Sequence, residues 1–240
     1  MKTAALGVMC KAPRTGAAKT RLAAVVGSEA ATRLAACFLR DVAAAIEAVP
    51  ESLGRQGYGV YAPAGSEAAL GDILPPSFGL VLQEDADFGV VLASAARHLL
   101  ELGHDCAVLI NADSPTLPSC LLTEAIERLR RPGDRVVLGP AIDGGYYLIG
   151  LKAPHPALFR DIPWSTAAVY RATEDRAREI GLECAVLPLW YDVDDAESFA
   201  FLQAELAGTP PDFAEPGLTS GPARATRACL SGPHVIAGGA

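Results

Sequence analysis

No run of about 18 uncharged apolar residues occurs in this sequence, so it contains no candidate membrane-spanning helix. The one apolar stretch near the start, residues 4–10, is cut short by Lys11 and is not followed by a small-residue cleavage site, so it reads as a strand and not as a leader. Positive charge is also scarce. Twenty Lys and Arg against 28 Asp and Glu give a net charge of −8, which excludes a broad basic surface for nucleic acid. No CxxC pair is present, and none of the six cysteines, Cys10, Cys37, Cys106, Cys120, Cys184 and Cys229, has a histidine at zinc spacing. Free thiols, mostly buried, in a reducing cytoplasm are therefore expected. His98, His104, His155 and His234 show no catalytic partner in the sequence. A Walker P-loop is absent too, because Ala18 and not glycine precedes Lys19.

What is present is an alternation of strand-like and helix-like segments, which predicts an α/β layer with a largely parallel sheet and crossover helices. Strands are expected at residues 4–9, 57–62, 80–83, 106–111, 135–138, 146–151 and 184–189. Helices are expected at residues 20–49, 66–73, 88–102, 121–131, 165–180 and 196–206, the first broken at Gly27 with Ser28 capping its second piece. The run CAVLIN at residues 106–111 has the unbroken apolar character of a central strand covered on both faces. From residue 208 Pro and Gly recur without apolar periodicity, so residues 1–207 are read as one domain and residues 208–240 as a mobile tail.

Four segments carry chemistry. The loop KAPRTGAAKTRL, residues 11–22, places Lys11, Arg14, Lys19 and Arg21 beyond the first strand, with Pro13 and Gly16 shaping the turn and a helix starting near Thr20. Small residues there let backbone amides approach an oxyanion, which makes the loop a phosphate-binding candidate. NADSPTLP, residues 111–118, puts Asp113 at the carboxyl end of the buried strand, where open α/β sheets bind ligands. Asp113 is thus a magnesium-ligand candidate, although Asp113 or Ser114 capping the next helix accounts for the same residues. GPAIDGGYYLIG, residues 139–150, joins two strands through Asp143, Gly144 and Gly145, either as substrate-contacting backbone or as an ordinary hairpin turn. Tyr146 and Tyr147 alternate, so at most one faces a site. WYDVDD, residues 190–195, ends in Asp195, a ready helix cap, while Asp192 and Asp194 repel one another unless a cation lies between them.

Together with IPWST at residues 162–166, these motifs in this order resemble a bacterial family of nucleotide-diphospho-sugar transferase-like proteins with the GT-A fold, including an arsenosugar-biosynthesis type. A similar motif order is found in molybdenum-cofactor nucleotidyltransferases and in phospholactate or phosphoenolpyruvate guanylyltransferases. The resemblance spans roughly residues 4–207. It implies a three-layer α/β/α architecture with a mostly parallel sheet. By position, it implies that Lys11, Pro13, Arg14, Gly16, Lys19 and Arg21 hold the nucleotide phosphates and that Asp113, with Asp194 or Asp192, holds Mg²⁺ or Mn²⁺. Asp143, Gly144, Gly145, Tyr146, Trp164, Ser165 and Thr166 fall on the acceptor side, where a hydroxyl and a helix N-terminus are suited to a phosphate or carboxylate. Lys19, Asp113 and Asp143 are the implied catalytic groups.

The activity implied is metal-dependent transfer of a glycosyl group from a nucleotide sugar to a small acceptor. Nucleotidyl transfer from an NTP with release of pyrophosphate uses the same lysine and aspartates. A non-catalytic nucleotide-binding protein is the third reading, because EDADFGVVL after Gln83 has Val90 and Val91 where relatives carry an acidic residue and an arginine.

Overall fold

A computed structural model of the chain describes residues 2–14 and 19–232. Its centre is a seven-stranded sheet in the order β3-β2-β1-β4-β6-β5-β7. The strands are β1 (Ala4–Lys11), β2 (Arg55–Ala62), β3 (Gly79–Leu82), β4 (Cys106–Asn111), β5 (Arg135–Pro140), β6 (Tyr146–Leu151) and β7 (Glu183–Val186). Neighbours pair in parallel except β6, which runs against both β4 and β5. That reversal follows from the short Asp143 connection, which leaves no room for a crossover between β5 and β6.

Side-chain alternation sends the two faces of the strands into two apolar layers. Ala4, Leu6 and Val8 of β1 and Val108 and Ile110 of β4 join a core with Leu34 and Phe38 of α2 (Ser28–Glu47), Leu121 and Leu122 of α5 (Ser119–Leu129) and Phe199 and Leu202 of α7 (Ala196–Leu206). Ala5, Ala107 and Leu109 face the other way, onto Leu92, Ala95 and Leu99 of α4 (Phe88–Glu101) and Ala177 of α6 (Val169–Glu179). Two shorter helices, α1 (Thr20–Val26) and α3 (Glu67–Gly71), complete this part. The result is the expected α/β/α sandwich. Among the described residues no single helix is long and apolar enough to cross a membrane.

The break after α1 is where the glycine predicted it, at a bend of 120°. Ser28 does not cap α2, however. Gly27, at φ 84°, takes the cap position and Ser28 is already helical. All six cysteines are free, but only Cys10 and Cys106 are buried; Cys37, Cys184 and Cys229 are half-buried and Cys120 is exposed.

The larger difference concerns the end of the chain. Residues 208–232 are packed onto the domain and not loose, and they include α8 (Arg224–Leu230). Phe213 meets Trp190, Tyr191 and Phe201 edge-on at ring separations of 6.5, 5.8 and 6.1 Å. The buried Asp41 carboxylate on α2 accepts hydrogen bonds from the amides of Ala225 and Thr226 at 2.9 and 2.8 Å, and so caps α8. Buried Glu205 receives the hydroxyls of Tyr191 and Ser220, and the Gly221 amide donates to the Thr116 carbonyl at 2.7 Å. Scattered apolar contacts and polar anchors together hold this segment, which apolar periodicity could not reveal. The remaining residues of the expected tail, 233–240, lie outside the described residues.

Candidate active site at the carboxyl ends of the central strands

Asn111 closes β4, and the chain then turns through Asp113 instead of entering a helix; α5 starts only at Ser119, with Pro118 at its cap position. Neither Asp113 nor Ser114 therefore serves as a helix cap. The buried Ser114 hydroxyl donates to the Tyr191 carbonyl at 2.7 Å, and the Val193 amide donates to the Asp113 carbonyl at 2.8 Å. These two bonds lock the 113 loop to the 191–194 segment, and so hold Asp113 beside Asp194 although 80 residues separate them.

Lys19 sits between the two. Its backbone is left-handed, at φ 54° and ψ 51°, immediately before α1. Its ammonium group contacts Asp113 Oδ2 at 2.8 Å, the Asp194 carboxylate, and the Val193 carbonyl at 2.9 Å, with the side chain only 7% exposed. Burial works against the Lys19 charge, but Asp113 and Asp194 more than offset it and raise its pKa above the usual lysine value. Arg21, on the first turn of α1, reaches the other oxygen of Asp194 at 3.1 Å. Asp195 keeps its simpler role: its carboxylate accepts from the Ser198 amide at 3.0 Å while the Ser198 hydroxyl accepts from the Asp195 amide at 3.1 Å, a reciprocal cap on α7.

Next to this cluster opens a cavity of about 700 Å³. Asp143, Asp192, Asp194, Arg21 and Asn111 supply its polar lining, and Phe88, Leu92, Tyr146, Ile149 and Trp164 its apolar walls. Burial first, then Asp194, Asp143 and Asp113, push the Asp192 carboxyl up to about 7. The Asp143 turn is more than a hairpin connection. A side chain at Gly144, whose φ is +88°, would lie 2.1 Å from the Ala167 carbonyl oxygen, and the Tyr170 amide donates to the Gly144 carbonyl at 2.9 Å. The turn is thereby docked onto the segment carrying Trp164, Ser165 and Thr166, all of which line the cavity. Of the paired tyrosines, Tyr146 turns its ring toward Trp164, whereas Tyr147 is buried and donates to the Pro188 carbonyl at 3.0 Å.

The predicted phosphate loop is only partly gathered here. Lys19 and Arg21 are at the cluster, but Lys11 ends β1 exposed, and Arg14 points to the Ser66 hydroxyl at 3.4 Å. Pro13 is half-buried and does not line the cavity, and Gly16 lies outside the described residues. Phe88 and Asn111 line the cavity although sequence reading did not single them out; an exposed phenylalanine on the first turn of α4 was the available signal for the former. Among the described residues no group of three or more His, Cys, Asp and Glu is arranged to hold a metal ion. Asp113 and Asp194 nonetheless converge on one cation, the Lys19 ammonium, and two carboxylates are the oxygen donors magnesium takes. Their chemistry fits a divalent ion that competes with Lys19 for the position between them.

A family model described as uncharacterized proteins conserved in bacteria, DUF2064, matches residues 45–166. The chain belongs to this family. No curated protein matches its sequence. Among solved structures, a provisionally named nucleotide-diphospho-sugar transferase from Desulfovibrio desulfuricans G20 is similar at 29% identity, over 96% of this chain and 94% of that one, with a TM-score of 0.81. CMP:2-keto-3-deoxy-manno-octonic acid synthetase, solved with CTP, has the same fold at 12% identity and a TM-score of 0.56, over 86% of this chain and 99% of its own. Glucosyl-3-phosphoglycerate synthase from Mycobacterium tuberculosis, solved with Mn²⁺, UDP and phosphoglyceric acid, is 11% identical with a TM-score of 0.50, over 95% of this chain and 77% of its own. This DUF2064 protein thus has the fold of nucleotide-sugar and nucleotidyl transferases.

Proposed function

We propose that this DUF2064 protein is a transferase that binds a nucleotide-diphospho-sugar and passes its glycosyl group to a small acceptor, assisted by Mg²⁺ or Mn²⁺. The observation that carries this reading is the Asp113–Lys19–Asp194 cluster, set at the carboxyl ends of central strands and opening on the 700 Å³ cavity. The similarity to the Desulfovibrio protein over nearly the whole chain supports it. Asp113 and Asp194, with Asp192 adjacent, are the residues to hold a divalent ion, and such an ion supplies charge neutralisation to a diphosphate. Lys19 and Arg21 lie within the same cluster, so a diphosphate bound there meets two further cations that stabilise it as it leaves. The bond between the sugar and the diphosphate breaks, the acceptor oxygen bonds to the sugar, and its proton is taken up by a base. Asp143, which also lines the cavity, would orient that hydroxyl and accept the proton.

Nucleotidyl transfer would use the same groups on an NTP. Thermal-shift measurements with nucleotides and nucleotide sugars, each with and without Mg²⁺ or Mn²⁺, test the binding half, because a ligand of the folded state raises Tm as its concentration exceeds Kd. A metal-dependent rise with nucleotide sugars, followed by nucleoside diphosphate release on adding acceptor, supports glycosyl transfer. Pyrophosphate release from an NTP assigns nucleotidyl transfer instead, binding without turnover assigns a non-catalytic role, and no shift with any nucleotide refutes the transferase reading.

A further inference from the structure

Among the described residues, carboxylates dominate the charged lining of the cavity. Asp143 and Asp192 line it without an ion-pair partner among the described residues, and its one lining cation, Arg21, is already on Asp194 at 3.1 Å. Asn111 Oδ1 is buried with no hydrogen-bond partner, so it is an acceptor without a donor. Such a group is costly unless a ligand or water supplies the missing proton. Residues 15–18 add no countercharge, being Thr, Gly, Ala and Ala.

At the feature expected to receive an anion, several donors are already engaged. At the start of α6 the Ala168 amide donates to the Thr166 hydroxyl oxygen at 3.2 Å, the Val169 amide to the Thr166 carbonyl at 3.3 Å and the Tyr170 amide to the Gly144 carbonyl at 2.9 Å. The Thr166 hydroxyl proton goes to the Pro163 carbonyl at 2.7 Å. The Thr166 hydroxyl and these three amides are thus already engaged within the protein and are not available to a phosphate or carboxylate.

Aromatic side chains form another part of the lining. A side chain at Gly89 would lie 3.1 Å from Trp164 Nε1 and 2.6 Å from the Phe159 carbonyl oxygen, so glycine there lets the indole lie against α4. Phe88 and Tyr146 contact that indole edge-on at ring separations of 5.1 and 6.5 Å. Aromatic faces and carboxylates lining one cavity suit a molecule that offers both C–H surface and hydroxyl donors.

We propose that this cavity selects an uncharged polyhydroxylated acceptor, such as a sugar or polyol, and rejects phosphorylated or carboxylated ones. Calling the ligand an acceptor rests on the transferase reading; the charge selection rests on the cavity alone. Trp164 reports on it directly, because the other tryptophan, Trp190, is fully buried in the core. Tryptophan fluorescence is to be titrated with glucose against glucose 6-phosphate, and with glycerol against glycerol 3-phosphate, at fixed ionic strength and with chelator present. The neutral member of each pair is expected to bind about tenfold more tightly, a response lost in Trp164→Phe, and the ratio is expected to shrink severalfold in Asp143→Asn, which removes one repelling charge. Equal or tighter binding of the phosphorylated member overturns the proposal. So does an unchanged ratio in Asp143→Asn, or silence of Trp164 toward both neutral probes at 100 mM. Failure of every nucleotide to raise Tm refutes the transferase reading while leaving these titrations to judge the cavity, so the two failures are distinguishable.

Discussion

Asp41 and Glu205 are buried, and the Lys19 side chain is only 7% exposed, yet the two regions treat charge in opposite ways. Around Asp41 and Glu205 the partners are neutral: two amides for the first, two hydroxyls for the second. Each network is closed, and its product is the attachment of residues 208–232. Around Lys19 the partners are themselves charged, and Asp113 and Asp194 remain about a third exposed toward the cleft. A closed network of neutral donors fixes a segment, whereas a charged cluster left open on one side can exchange partners. The lesson is that depth of burial does not tell anchor from site; the nature of the partners does.

Removing residues 208–240 should have the largest effect. It uncovers Trp190 and Tyr191, leaves Asp41 without its two amide donors and takes the Ser220 hydroxyl from Glu205, so stability should fall by about 5 kcal/mol or more, read as a shift of the urea midpoint. Unchanged stability would mean that these networks hold nothing, and the comparison would collapse.

Lys19→Met comes next. Leaving two carboxylates facing each other should cost about 1 to 3 kcal/mol, less than for a fully buried pair because both aspartates reach solvent. Mg²⁺ should recover part of that loss, while nucleotide affinity falls by about one to two orders of magnitude. Asp41→Ala is the matched change at the other region. It should cost about 1 to 2 kcal/mol, through the two uncapped amides of α8, with no recovery by Mg²⁺ and no change in nucleotide affinity. Calorimetry on the two variants side by side separates anchor from site.

The smallest effect belongs to Asp195→Ala, at about 1 kcal/mol for a lost cap. Hydrogen bonds from Ser198, backbone first and then side chain, hold the Asp195 carboxyl below its ordinary 3.8. Its ionised form is therefore the stabilising one. The gap between this variant and the parent should be full above pH 3.8 and narrow as pH falls through the depressed value. Thermal melts at pH 6 and pH 3 check the sign.

The sandwich was legible because its strands are short apolar runs and its helices amphipathic, signals local to each segment. The convergence of Asp113 and Asp194 was legible too, since both follow apolar strands and the sheet gathers such ends on one side. The direction of β6 was legible only through the short Asp143 connection, one reading of which was a hairpin, because residues 146–151 carry the same apolar signal whichever way they run. Attachment of residues 208–232 was hidden for a different reason: it depends on Asp41, 184 residues away from Ala225, and polar anchors leave no periodicity. Phe88 escaped notice because one exposed aromatic on a helix turn is uninformative until Trp164 is seen beside it.

The reversed strand bears on how such a protein can diverge. Because β6 runs against its neighbours, it begins where they end, and the Asp143 turn rises at the cleft from a hairpin whose two strands are anchored deep in the sheet. Lys19 and Asp113 belong to other connections, after β1 and β4. Substitutions in the hairpin tip can therefore alter what one half of the cleft accepts while the other half is inherited intact.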